Sequence, residues 1–203
     1  QHFSDHPVKI KMLFFGEYID SNFLPYHYIF TWIFISTPIF YTILFLVGYT
    51  QIFKRFFSRF INITDTKNYF DLWRSVNEKK DLFILFSITS VIFYLITFNA
   101  NLYNGWRQIY FINIFLIYIA TYAFYRICIS SKSKLRKKMQ FSIAILFLMF
   151  VIYKMVVFHP YQNIYFNIFS GKEIHKKFEI DYWGLAGKKF LKDVLEWEKD
   201  KNL

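Results

Sequence analysis

Residues 141–158, FSIAILFLMFVIYKMVVF, carry one charge, Lys154, in eighteen positions. That is close to what a helix needs to cross a membrane: about 20 mostly apolar residues span about 30 Å of hydrocarbon, with every backbone group paired inside the helix. Residues 26–47, 82–98 and 108–125 meet the same requirement or nearly so, and none of the four stretches has Asp, Glu or Arg in its interior. Residues 82–98 are short enough to be read also as a buried or tilted helix. At 55% hydrophobic and 24% aromatic, the 203-residue chain is more apolar than one soluble core requires. The expected fold class is all-α: a polytopic membrane protein of about four transmembrane helices, with a small extracytoplasmic C-terminal segment.

A net charge of +11 would point to nucleic acid in a soluble protein. Here the distribution of charge matters more than its sum, and no nucleic-acid partner is expected. Residues 48–81 carry seven Lys or Arg and residues 126–140 carry six, whereas residues 99–107 carry one and the first 25 residues carry two. The positive-inside rule places the two basic loops in the cytoplasm. Residues 1–25 then form an extracytoplasmic lead-in segment, residues 26–158 a four-helix transmembrane region, and residues 159–203 an extracytoplasmic tail. The tail's eight Lys are interleaved with seven acids, and long translocated segments follow the rule weakly. Cys128 is the only cysteine, so no intrachain disulfide or thiolate metal site is expected. Gln1 is not an initiator, and the chain is expected to be part of a longer or processed product.

Within the first span, Thr37-Pro38 is expected to kink the helix, with Ser36 or Thr37 occupying the freed carbonyl. QIFKRFFSRFI (51–61) reads either as an interfacial amphipathic helix or as a basic flank of the span. GKKFLKDVLEWEKD reads as an amphipathic surface helix packing on the rest of the protein.

Three polar and aromatic clusters fall on one expected face: FGEYIDSNFLPYHY (15–28), NANLYNGWRQIYF (99–111), and HPYQNIYFN (159–167) with FEIDYWG (178–184). Arg107 stands at the extracytoplasmic mouth of the third span, where positive charge is disfavoured. Its guanidinium could hold a phosphate oxygen bidentately, or snorkel and pair with an acid such as Asp181. Asn104-Gly105 favours a tight turn that brings Trp106 and Arg107 back toward the membrane, with Tyr103 beside them. His159 is open to roles as a base, a phosphate partner or a hydrogen-bonded helix cap; no second His or acid stands at ligand spacing, and no metal site is expected. Tyr161, Gln162 and Asn167 suit a sugar ring or an interfacial aromatic belt. Asp181, Tyr182 and Trp183 suit a saccharide platform or a packed corner that docks the tail. Glu17 and Asp20 read as a solvated loop, Lys154 as snorkelling outward, and Asn113 as a hydrogen bond to a neighbouring helix.

LYNGWRQIYF resembles the Leu-Tyr-Asp-Gly-x-Arg-His-x-x-Phe segment of bacterial membrane glycosyltransferases related to dolichyl-phosphate-mannose protein mannosyltransferases. HPYQNIYFN and FEIDYWG resemble the same family's His-Pro-Tyr-Gln-Tyr-x-Tyr-Phe-Asn and Phe-Glu-x-Asp-Tyr-Trp-Gly, and LPYHYIFTWIFISTPI resembles its Leu-Pro-Trp-x-Tyr start of a late span. The resemblance implies a multi-pass enzyme of the large C-type glycosyltransferase fold in the cell (inner) membrane. Such an enzyme moves a sugar from a polyprenyl-phosphate carrier to a glycan, lipid or protein acceptor on the non-cytoplasmic face. It implies no cofactor, since the lipid-linked sugar is itself the donor, and it makes Arg107 the donor phosphate partner. Tyr103, Asn104, Trp106, His159, Tyr161, Gln162, Asn167, Asp181, Tyr182 and Trp183 are carried over as motif or site-wall positions without assigned roles. Asn104 stands where the family has Asp, and Gln108 where it has His, so no charge or proton role carries over at either. The family's catalytic acidic pair lies in an N-terminal outer loop upstream of this chain, which is expected to be inactive alone. Two rival readings stay open: a non-catalytic membrane protein such as a transporter half or assembly subunit, and another polyprenyl-lipid enzyme such as a glycan ligase or polymerase.

Overall fold

A computed structural model describes residues 10–61, 72–181 and 184–201. It opens with an antiparallel hairpin of β1 (Lys11–Phe14) and β2 (Glu17–Asp20), and then becomes helical: α1 (Tyr28–Ser36), α2 (Ile39–Ile61), α3 (Val76–Thr97), α4 (Ile112–Ser130), α5 (Lys134–Val157), α6 (Ile174–Lys177) and α7 (Gly187–Lys201). Short 3-10 turns at Arg107–Ile109, Gln162–Ile164 and Ile168–Ser170 shape the loops. The fold is therefore mostly helical, as expected, with the hairpin as an addition.

Three helices, α3, α4 and α5, are long and apolar enough to cross a membrane. The first expected span is instead broken in two. Pro38 has no N–H to continue α1, and it pushes Thr37 into extended backbone (ψ 138°), so α1 ends and α2 starts afresh. α2 then runs to Ile61, taking residues 51–61 into one helix rather than a separate interfacial one. α3 starts at a serine N-cap: Ser75 Oγ accepts the Glu78 N–H at 3.2 Å, and the Glu78 carboxylate accepts the Arg74 N–H at 2.7 Å. The basic stretch 126–140 is helical except for a three-residue link, because α4 ends at Ser130 and α5 begins at Lys134.

The core lies between α2, α3 and α4, with Ile52, Leu85, Ile88 and Ile119 almost fully buried. Gly48 lets α2 and α4 approach so closely that a Cβ there would stand 2.3 Å from the Ile119 carbonyl oxygen. α5 buries none of its residues, although its apolar side chains point all round, and this is the pattern of a helix facing lipid. It touches the bundle through stacked Phe40 and Phe147, 4.4 Å apart, and through Phe124 against Phe141.

At the basic end of the bundle, Arg55 of α2 donates to Asp81 of α3 at 2.8 Å and to Tyr122 of α4 at 3.2 Å, and Tyr118 donates to Asp81 at 2.8 Å. Arg59 grips Glu78 with both nitrogens. These arginines are thus interhelical partners rather than the polar face of a surface helix. α7 is amphipathic but does not pack on the rest: Phe190, Leu191 and Leu195 are all exposed.

Candidate functional site

Three loops meet at the opposite end of the bundle. The hairpin turn places Phe15 (φ 52°) and Gly16 (φ 88°) in left-handed backbone, the requirement of a two-residue type I′ connection. From there the Gly16 N–H donates to the Lys177 carbonyl at 3.1 Å, and Phe14 bridges to Phe178. The 99–111 loop docks beside it. Asn104 and Gly105 both adopt positive φ, the tight turn expected of that pair, and the Gly105 N–H donates to the Tyr28 hydroxyl at 3.1 Å. Trp106 is buried, and its Nε1 donates to Ser36 Oγ at 2.8 Å.

The third loop closes the break at Pro38. Asn167 Nδ2 donates to the carbonyls of Phe34 at 2.5 Å and Thr37 at 2.8 Å, and its backbone N–H donates to Ile35 at 2.8 Å. The freed carbonyl is thus occupied by Asn167, not by Ser36 or Thr37. Ser36 Oγ donates to Trp32 instead, at 2.6 Å. A buried helix end must find donors for its last carbonyls, and here one residue from a distant loop supplies three.

Between these loops and the ends of α2, α4 and α5 lies a cavity of about 740 Å³. Its polar wall includes Asn104, Arg107, Gln162, Asn163, Lys154 and Glu179, and its aromatic wall includes Trp32, Trp106, Tyr110 and Tyr165. Phe45, Leu116, Ile117 and Val151 extend the lining into the bundle. Phe45 lies seven residues past Pro38, or about 10 Å along α2 at ~1.5 Å per residue. Polar side chains of the loops and of the end of α5 thus share the cavity with apolar side chains from α2, α4 and α5.

Arg107 stacks over the Tyr103 ring, 4.7 Å from its centroid. Asp181 does not pair with it. The Asp181 carboxylate accepts the N–H groups of Leu185 at 3.1 Å and Ala186 at 3.0 Å, holding the turn that leads into α7. Asn104 keeps both side-chain amide atoms buried without a hydrogen-bond partner, and Thr37 Oγ1 is in the same state; both residues line the cavity. Burial pushes the Glu179 carboxyl above its ordinary range. Among the described residues no cation lies within salt-bridge distance of it.

Of the residues singled out from sequence, Asn104, Trp106, Arg107 and Gln162 come together on the cavity wall. Tyr103 supports Arg107 from behind, with its N–H bonded to Gln108 Oε1 at 3.1 Å. His159 and Tyr161 lie off the wall. His159 Nδ1 sits 3.0 Å from Gln162 Nε2, which also reaches the Met155 carbonyl at the end of α5. Asn167 is spent on the α1 end. Tyr182 and Trp183 lie outside the described residues. Lys154, read as snorkelling outward, lines the cavity over the rings of Phe150 and Phe158, and one reading is corrected: Asn113 donates to Tyr110 at 3.3 Å, one turn earlier, not to another helix. Glu179 was not singled out beforehand. It is the one carboxylate on this wall among the described residues. No group of His, Cys, Asp and Glu able to hold a metal occurs among the described residues.

Compared with models of known protein families, with curated proteins and with solved structures, the chain matches none.

Proposed function

We propose that this chain is the C-terminal part of a membrane glycosyltransferase that uses a polyprenyl-phosphate sugar as donor. The observation that carries the reading is one cavity whose lining combines Arg107, Lys154 and the unpartnered Asn104 amide with the apolar side chains of Phe45, Leu116 and Val151. A lipid phosphate has that division: an anion at headgroup level and an apolar chain below it. A guanidinium and an ammonium suit the anion, and buried amides beside aromatic faces suit a sugar.

On this reading α1 and α2 together make the first of four spans, and the cavity opens on the non-cytoplasmic side of the cell (inner) membrane. The acceptor oxygen forms its bond to the anomeric carbon as that carbon's bond to the phosphate oxygen breaks. The lipid phosphate leaves with the electron pair, and the acceptor's proton passes to a carboxylate. Arg107 and Lys154 stabilise the charge that collects on the departing phosphate. Hydrogen bonds to a charged group contribute about 1.5–3 kcal/mol, so Arg107→Ala is expected to weaken binding of polyprenyl phosphate by about tenfold to a hundredfold. In the full-length protein the same change is expected to abolish sugar transfer while membrane insertion stays intact. Unchanged binding and transfer would remove phosphate recognition at Arg107 from the account.

A further inference from the structure

A second cleft, of about 770 Å³, lies at the opposite end of the bundle and shares no lining residue with the first. Three helices contribute cations to it: Lys54 and Arg55 from α2, Arg126 from α4, and Arg136 from α5. No acid lines it among the described residues. Arg55 is partly neutralised by Asp81. Lys54, Arg126 and Arg136 have no hydrogen-bond or ionic partner among the described residues.

A solvated basic loop would spread such charges apart, whereas here they converge around a recess. The recess also holds polar atoms that the protein leaves unpaired. Ser131, 9% exposed, has no partner for its hydroxyl, and Gln51 and Gln140 each carry a buried, unpartnered side-chain oxygen. All three residues line the cleft. Of these, the Ser131 hydroxyl can donate to an anion or a bound water in the recess, whereas the two glutamine oxygens are acceptors that a water or another donor would complete. Ser131 also stands two residues before Ser133, whose side chain leaves the start of α5 uncapped.

We propose that the cleft bounded by Lys54, Arg55, Arg126, Arg136 and Ser131 is a binding site for a phosphate- or diphosphate-bearing anion. Guanidinium pairs from different helices can grip a phosphoryl group from two sides, and the Ser131 hydroxyl and an amide complete its shell. The exposed apolar surface of α5, with Phe141 and Ile145 beyond Gln140, would take the chains of a phospholipid, whereas a soluble phosphate would use the polar pocket alone. The site does not depend on the glycosyl-transfer reading.

The test uses the chain in phosphatidylcholine nanodiscs, titrated in one arm with phosphatidylglycerol and in the other with inorganic pyrophosphate, with stoichiometry read by native mass spectrometry. Saturable binding of one equivalent is expected in at least one arm, and the arm that saturates identifies the source. Each basic residue near an anionic headgroup contributes roughly fivefold, so the Arg126→Gln, Arg136→Gln double variant is expected to weaken binding by more than about tenfold. The control Lys137→Gln, Lys138→Gln removes the same charge from outside the cleft and is expected to change binding by less than about twofold. Absence of saturable binding in both arms, or an equal loss in the two double variants, would overturn the site in favour of diffuse surface attraction.

Discussion

Asn167 Nδ2 stands 2.5 Å from the Phe34 carbonyl, the group that Pro38 leaves without its helical donor. The two residues are far apart in sequence, yet each accounts for the other. Proline breaks the first span and opens room for the cavity, and asparagine closes the resulting polar gap.

Removing that amide leaves buried carbonyls unpaired, at about 1–3 kcal/mol each. Asn167→Ala is therefore expected to cost about 3 kcal/mol, read as a lowered melting temperature in detergent. Pro38→Ala restores an N–H for Phe34, so the double variant should lose less than the sum of the two single changes. Strict additivity would show that the Asn167 contacts do not serve the proline break.

Gly48 sits where α2 and α4 press together. A methyl there meets the Ile119 backbone oxygen at 2.3 Å, and backbone cannot swing aside as a side chain can. Gly48→Ala is expected to destabilise the bundle by about 1–3 kcal/mol, while Thr50→Ala, on the exposed side of the same helix, stays within about 0.5 kcal/mol. Equal melting temperatures for the two variants would contradict the close approach.

The Arg55–Asp81 pair is asymmetric, with the aspartate side chain 5% exposed and the arginine 25%. Asp81→Leu removes the carboxylate that Arg55 and Tyr118 share, and is expected to cost about 3 kcal/mol. Combining it with Arg55→Met also removes the stranded charge, and thermal unfolding of the double variant should recover part of the loss.

Burial raises the Glu179 carboxyl above its ordinary value of 4.5. The folded protein then holds this proton more tightly than the unfolded chain does. The stability associated with it is fully present below about pH 4.5 and is lost as pH rises through the folded value. Melting curves across that window should fall more steeply for the native protein than for Glu179→Gln, which keeps a neutral amide throughout. Parallel curves would mean that Glu179 is solvated as an ordinary surface glutamate.

Much of the helical framework was legible in the sequence because its causes are local. Long apolar runs, Thr37-Pro38 as an interruption of the first span and Asn104-Gly105 as a turn each act within a few residues. The hairpin was not legible. Its turn residue Phe15 is an unusual occupant of left-handed backbone, and the strands gain their partner from Phe178 near the other end of the chain. Little in FEIDYWG distinguishes the acid that lines the cavity, Glu179, from the one that caps a turn, Asp181. The spacing from Asp181 to Gly184 and the helix beyond it was the available hint that Asp181 is the cap.

By itself, then, the sequence determined which stretches are apolar enough to be helices, that Pro38 disturbs the first of them, and that basic residues gather at two connections. That Lys154 borders the cavity, that Asn167 meets carbonyls of the α1 end, and that Arg55 and Arg59 find acids on α3 were decided only by tertiary packing. The physical reason is that a polar side chain's role depends on which buried donor or acceptor lies within about 3 Å of it, and in this fold those partners come from loops that the sequence places far apart.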